Sequence, residues 1–101
     1  LKIERPGAKP KGVVVGPDGK RAYVATGASN DVAVIDTGAN AILKYVPVGR
    51  RPWGIAVTPD GRKLYVANGV SDDVSVIDTA TERVVATIPA GKGPWGVVIG
   101  P

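Results

Sequence analysis

The sequence predicts an all-β fold of antiparallel four-stranded units, with two full units and partial strands on either side. Three observations carry this. The chain repeats itself at a shift of 42 positions, so that Pro10, Pro52 and Pro94 align, as do Gly12, Gly54 and Gly96. Pro17-Asp18-Gly19 and Pro59-Asp60-Gly61 recur in register, each ahead of a Tyr-Val-Ala stretch. The segments between turns are short and alternate in polarity, with no helical period. A repeat of about 40 residues built from short strands is the signature of a propeller blade.

The elements follow in chain order. Residues 1–9 are expected to form the outer strand of a preceding blade and a connection. Residues 10–51 and 52–93 form two blades, and residues 94–101 the inner strand of a following blade. Strands are expected near 11–16, 21–26, 31–36, 42–47, 53–58, 63–68, 73–78, 83–88 and 95–99, with 1–5 as an added outer strand. The first strand of each blade is an almost continuous apolar run, which implies burial on both faces. In the Pro-Asp-Gly turns, proline presets φ, aspartate bonds the backbone and glycine takes the positive φ. The second and third strands alternate, with Leu64 and Val66 opposite Tyr65 and Ala67. Asp36-Thr37 and Asp78-Thr79 open the next turns, where such side chains cap free N–H groups. The fourth strand of the second blade ends in Pro89, which suits an outer edge. The expected core is Val13, Val15, Val24, Val32, Val34, Ile55, Val57, Val66, Val74 and Val76, with Tyr23 and Tyr65 packed at blade interfaces.

Pro52-Trp53-Gly54, Pro59-Asp60-Gly61, Tyr65-Val66-Ala67-Asn68 and Val74-Ser75-Val76-Ile77-Asp78-Thr79 together resemble the repeats of the YVTN family of β-propellers. The namesake tetrapeptide stands as Tyr-Val-Ala-Asn in one copy and Tyr-Val-Ala-Thr, ending at Thr26, in the other. The resemblance covers essentially the whole chain. It implies a propeller that is exported, whether periplasmic, secreted or on the cell surface. It implies no particular activity, because propellers host many.

Composition narrows the chemistry. The 101 residues carry a net charge of +4, with no cysteine, histidine or methionine. Without cysteine there is neither a disulfide framework nor a thiolate ligand. Without histidine there is no nucleophile–histidine pair, no axial haem histidine and almost no route to a zinc site. No apolar run reaches membrane-spanning length, so membrane insertion is not expected. Lysine and arginine do not cluster beyond Arg50-Arg51 and do not interleave with aromatic residues, which argues against nucleic-acid binding. No catalytic residue, cofactor or metal site is expected from these residues. The chain opens on Leu1 and holds fewer strands than a closed ring of about 4–8 blades needs. The expectation is therefore part of a longer propeller, whose partners are the remaining blades or other copies of the chain.

The residues singled out for binding are Lys11, Arg50, Arg51, Trp53, Lys92 and Trp95. Trp53 and Trp95 precede the inner strand's glycine, and Lys11 holds that place in the first copy. Each indole either packs between blades or stacks on a ligand at the channel mouth. Because strand direction alternates, blade-to-blade loops and second-to-third-strand loops share one face. The first kind carries Lys9, Lys11, Arg50, Arg51 and Lys92; the second carries Asp31, Asp72 and Asp73. A basic inner rim inside an acidic outer rim is expected there, suited to an anionic small molecule or partner protein. Repetition also lets Asp31 and Asp73 act as caps of the preceding loops rather than as a calcium site. The leading function is a non-catalytic binding scaffold. The alternatives are part of a quinoprotein- or haem-type propeller enzyme with its active site in other blades, or a structural, self-assembling surface repeat.

Overall fold

A computed structural model describes residues 8–89 of the chain. Eight strands run in order: β1 (Ala8–Val15), β2 (Arg21–Gly27), β3 (Asp31–Asp36), β4 (Ala41–Pro47), β5 (Pro52–Val57), β6 (Lys63–Asn68), β7 (Asp73–Asp78) and β8 (Arg83–Pro89). They form two four-stranded antiparallel sheets, β1-β2-β3-β4 and β5-β6-β7-β8. Each sheet is one blade, and β1 and β5 lie side by side as inner strands. The expected strands agree with these within a few residues; those at 1–5 and 95–99 lie outside the described residues. β1 starts at Ala8, three positions before its expected start.

The turns behave as their residues dictate. Gly19 and Gly61 have φ of 74° and 75°. Asp18 accepts from the Lys20 N–H at 2.9 Å and Asp60 from the Arg62 N–H at 3.0 Å. Asp36 and Asp78 cap the following N–H groups, at 2.9 Å for Gly38 and 2.8 Å for Ala80. Thr37 and Thr79 do something else: each donates its hydroxyl to the carbonyl of Gly19 or Gly61. This ties the β3–β4 and β7–β8 turns to the Pro-Asp-Gly turns on one face of the disc.

The larger core cluster lies between the blades, and a smaller one, Ala22, Val24, Ala33 and Ile35 with Ile42 and Tyr45, lies on the other face of the first blade. Tyr23, Val32, Val34 and Val46 of the first blade pack on Leu64, Val66 and Ile77 of the second, flanked by Val14, Val48, Ile55 and Val57. Alternation along β2 and β6 explains the pairing: one face of each sheet supplies these residues. Two expectations need correction. Val13 and Val15 are 64% and 55% exposed, because β1 turns Val14 toward the second blade and these two the other way. Ile55, Val57 and Val74 are half-buried rather than enclosed. Tyr65, the repeat counterpart of Tyr23, is half-buried on the face of β6 opposite Leu64 and Val66, and the blade that would cover it lies outside the described residues.

Both blades carry the same irregularities. The pairing of first and second strands shifts between Ala8 and Gly12 and between Pro52 and Gly54. The pairing of third and fourth strands shifts between Val34 and Ile35 and between Val76 and Ile77. The first kind falls where Pro10 and Pro52 have no N–H to give the ladder. Bulges of this sort re-aim side chains, and the residues caught in these two are Lys11 and Trp53.

Candidate functional site: the linker face

The blade-to-blade linker, residues 48–51, is held by a loop from each blade. The Val48 N–H donates to the Asn30 carbonyl (3.1 Å) and the Arg51 N–H to Asn30 Oδ1 (2.9 Å). From the second blade, the Gly69 and Val70 N–H groups donate to the carbonyls of Arg51 (3.0 Å) and Arg50 (3.1 Å). The Arg50 N–H donates to Ser71 Oγ at 3.0 Å. Gly49 is pressed so close that a β-carbon there would lie 2.5 Å from Ser71 Oγ. The linker backbone is thereby fixed, and the side chains of Arg50 and Arg51 leave it exposed.

Lys11 and Trp53 meet across the blade boundary. Lys11 Nζ lies 4.6 Å from the centroid of the Trp53 ring, a contact worth about 0.5–1 kcal/mol when exposed. The indole is half-buried, and its edge fills the space a side chain at Gly69 would need, with Cδ1 only 2.5 Å from the ideal β-carbon. Close approach to the backbone at Gly12 completes the junction: a β-carbon there would be 3.0 Å from the Trp53 carbonyl oxygen. Trp53 thus packs between blades, with an ammonium set above it. Lys92 and Trp95 lie outside the described residues.

Two of the three acids expected on an outer rim, Asp31 and Asp73, are turned into their loops. Asp31 is 1% exposed. Its carboxylate accepts from the hydroxyls of Thr26 (2.6 Å) and Ser29 (3.1 Å), and its N–H donates to Thr26 Oγ1 (3.2 Å). Asp73 accepts from Asn68 Nδ2 and Ser71 Oγ, both at 2.9 Å. These carboxylates are consumed in capping their own loops, because a buried carboxylate needs donors more than exposure. By contrast, no ion pair among the described residues involves Lys11, Arg50 or Arg51, whereas Arg21, Arg62 and Lys63 pair with Asp36, Asp60 and Asp78. The linker face therefore presents Lys11, Arg50 and Arg51 and turns Asp31 and Asp73 into their loops, while Asp72 stays half-buried there. Among the described residues no cluster of acidic side chains could hold a metal ion.

Sequence reasoning singled out the cations but not their supports, Asn30, Gly69 and Ser71. The signal available was their position in the short loops that share the linker's face. It also missed a cleft of about 370 Å³ on the opposite face, lined by Pro17, Asp18, Lys20, Arg21 and Tyr23 of one blade and Asp60, Gly61 and Thr79 of the other. Those residues converge only once the blades pack.

Comparison with solved structures finds the same fold. Kuenenia stuttgartiensis hydrazine synthase is 33% identical, with a TM-score of 0.85 over 95% of this chain and 27% of its own. The dihydro-heme d1 dehydrogenase NirN, solved in complex with DHE, is 27% identical, with a TM-score of 0.75 over 85% of this chain and 19% of its own. A functionally unknown protein from Desulfotomaculum acetoxidans matches at 19% identity and a TM-score of 0.80, over 90% of this chain and 32% of its own. The chain thus spans a third or less of the length of these structures. A comparison with curated proteins finds no match. A family profile described as YNCE-like beta-propeller matches residues 2–100. With its two antiparallel blades and near-complete match, the chain belongs to the YNCE-like β-propeller family.

Proposed function

We propose that the chain is a non-catalytic binding segment of a YVTN-type β-propeller, which takes an anionic small molecule or an acidic partner surface on its linker face. One observation carries the reading: Lys11, Arg50 and Arg51 stand on this face without ion pairs among the described residues, while Asp31 and Asp73 are turned into their loops. On the opposite face, by contrast, Arg21, Arg62 and Lys63 pair with Asp36, Asp60 and Asp78. The same reading has the remaining blades, or further copies of the chain, as its structural partners. An extracytoplasmic location is supported by the resemblance of the repeats to exported propellers. The test is titration with inorganic pyrophosphate at several salt concentrations. Arg50→Glu with Arg51→Glu should weaken binding and flatten its salt dependence. Affinity that is the same for both proteins at every salt concentration would leave only a solvated loop face.

A second reading is favoured by the likeness to hydrazine synthase and to NirN. In it, these blades brace an enzyme whose reacting groups come from elsewhere, since the chain has no histidine or cysteine. Histidines or several carboxylates on the linker face of neighbouring blades would decide for it.

A further inference from the structure

We infer that Arg51, rather than its neighbour Arg50, grips the ligand, and that the ligand is an oxyanion with two or more negative charges. This deepens the anion-binding reading of the linker face and rests on it. Arg51 has a φ of 53°, in the left-handed region that side chains other than glycine enter at a cost. Asn30, Asn40 and Asp72 share that region and are residue types that tolerate it; Glu82, in a turn on the opposite face, is the other exception. In the sequence, the repeat aligns Arg51 with Lys9 and Gly93. The strain cannot relax locally. The Arg51 N–H is held by Asn30 Oδ1 at 2.9 Å and its carbonyl by the Gly69 N–H at 3.0 Å.

An arginine thus occupies a costly backbone position, with no ion pair among the described residues to offset the cost. Strain kept at a fixed, exposed position points to use by a ligand. The main chain beneath it is anchored to both blades, so the guanidinium starts from a preorganised base. A guanidinium offers a planar fork that matches carboxylate and phosphate oxygens two at a time. Lys11 supplies a second cation, set at 4.6 Å over Trp53 in the adjacent bulge. Arg50 adds a third, but its backbone is unstrained and its position carries no comparable cost. Three cations without acidic partners among the described residues suit a multiply charged oxyanion better than a single carboxylate.

The experiment is calorimetric titration of the full chain, in the assembly state that sedimentation finds, with inorganic pyrophosphate and separately with citrate. The two arms separate a phosphate ligand from a carboxylate one. Denaturation midpoints are measured on the same samples. Arg51→Gly should weaken the better anion at least about tenfold and raise the denaturation midpoint, because it relieves strain. Arg51→Lys, which keeps the charge and loses the fork, should weaken it by about threefold or more. Arg50→Gln should change it by less than about threefold. Equal losses for Arg50→Gln and Arg51→Gly, or a lower midpoint for Arg51→Gly, would overturn the inference while leaving the face an anion site. Failure of the unsubstituted chain to bind either anion would remove the anion-binding reading as well.

Discussion

Thr26 and Asn68 occupy the same place in the two blades and meet the same need with different atoms. Thr26 gives its hydroxyl to Asp31, and Asn68 gives Nδ2 to Asp73 and to Ser75 Oγ at 2.9 Å each. The difference is Asn68 Oδ1, which is buried and has no hydrogen-bond partner among the described residues. Asn68→Ala should therefore cost about 1–3 kcal/mol, since it strands buried acceptors. Asn68→Thr should cost clearly less, as it installs the first blade's solution. Denaturant melts of both variants check the order. Val66, fully buried in the interblade core, should lose about 1–3 kcal/mol on substitution by alanine. Tyr23 gives a pH signature. Burial pushes its phenol pKa up, helped by the carboxylates of Glu82 and Asp18 and opposed by Arg21. The fold keeps the proton to a higher pH than the unfolded chain does. Stability is thus whole below about pH 10 and is lost as pH rises through the raised value. Tyr23→Phe should flatten that alkaline loss in a melt series. At this scale, the capping role of Asp31 and Asp73 was legible because it repeats. The exposure of Val13 and Val15 was not: an apolar run implies cover on both faces, and only packing shows which side receives it.

The turns and the linker are the elements on which the face-to-face arrangement depends. Gly19 and Gly61 share one conformation but not one environment. A β-carbon at Gly19 meets nothing within 4 Å, whereas at Gly61 it would stand 3.0 Å from Pro17 Cδ of the other blade. Gly19→Ala should cost about 1–2 kcal/mol for the backbone alone, and Gly61→Ala more, through the lost fit between blades. Equal losses in denaturant melts would mean that the turns do not touch in solution. The Asp78 turn predicts behaviour in acid. A hydrogen bond from Lys63 at 3.0 Å, then the Thr81 and Ala80 N–H groups, hold its carboxyl below the usual range. Its contribution is present above the ordinary carboxylate range and is lost as pH falls through the depressed value. Asp78→Asn, which keeps the cap, should make the acid limb of stability shallower. Strand positions and turn types were legible from period and residue type. The double clamp on the linker was not, because Asn30 and Ser71 reach it from different blades.

Across the described residues, the larger core cluster is an interface between blades, while a smaller one, Ala22, Val24, Ala33 and Ile35 with Ile42 and Tyr45, belongs to the first blade alone. Tyr23 and Val34 are buried by residues of the second sheet, so one blade alone would leave them wet. A repeat unit is stabilised largely by its neighbours, and here each sheet has a second face. On the first blade that face shows Val13 and Val15; along β8, Val84, Val85 and Ile88 are also exposed. Every residue of β8 is exposed, and its outer edge has no strand paired to it among the described residues. Unpaired edges and apolar faces invite association. The central claim is that these blades are built to be covered by further blades, and sedimentation of the isolated 101-residue chain tests it most directly. The account predicts oligomers or aggregates, with a broad thermal transition for any residual monomer. A single sharp monomer with a cooperative melt would contradict it.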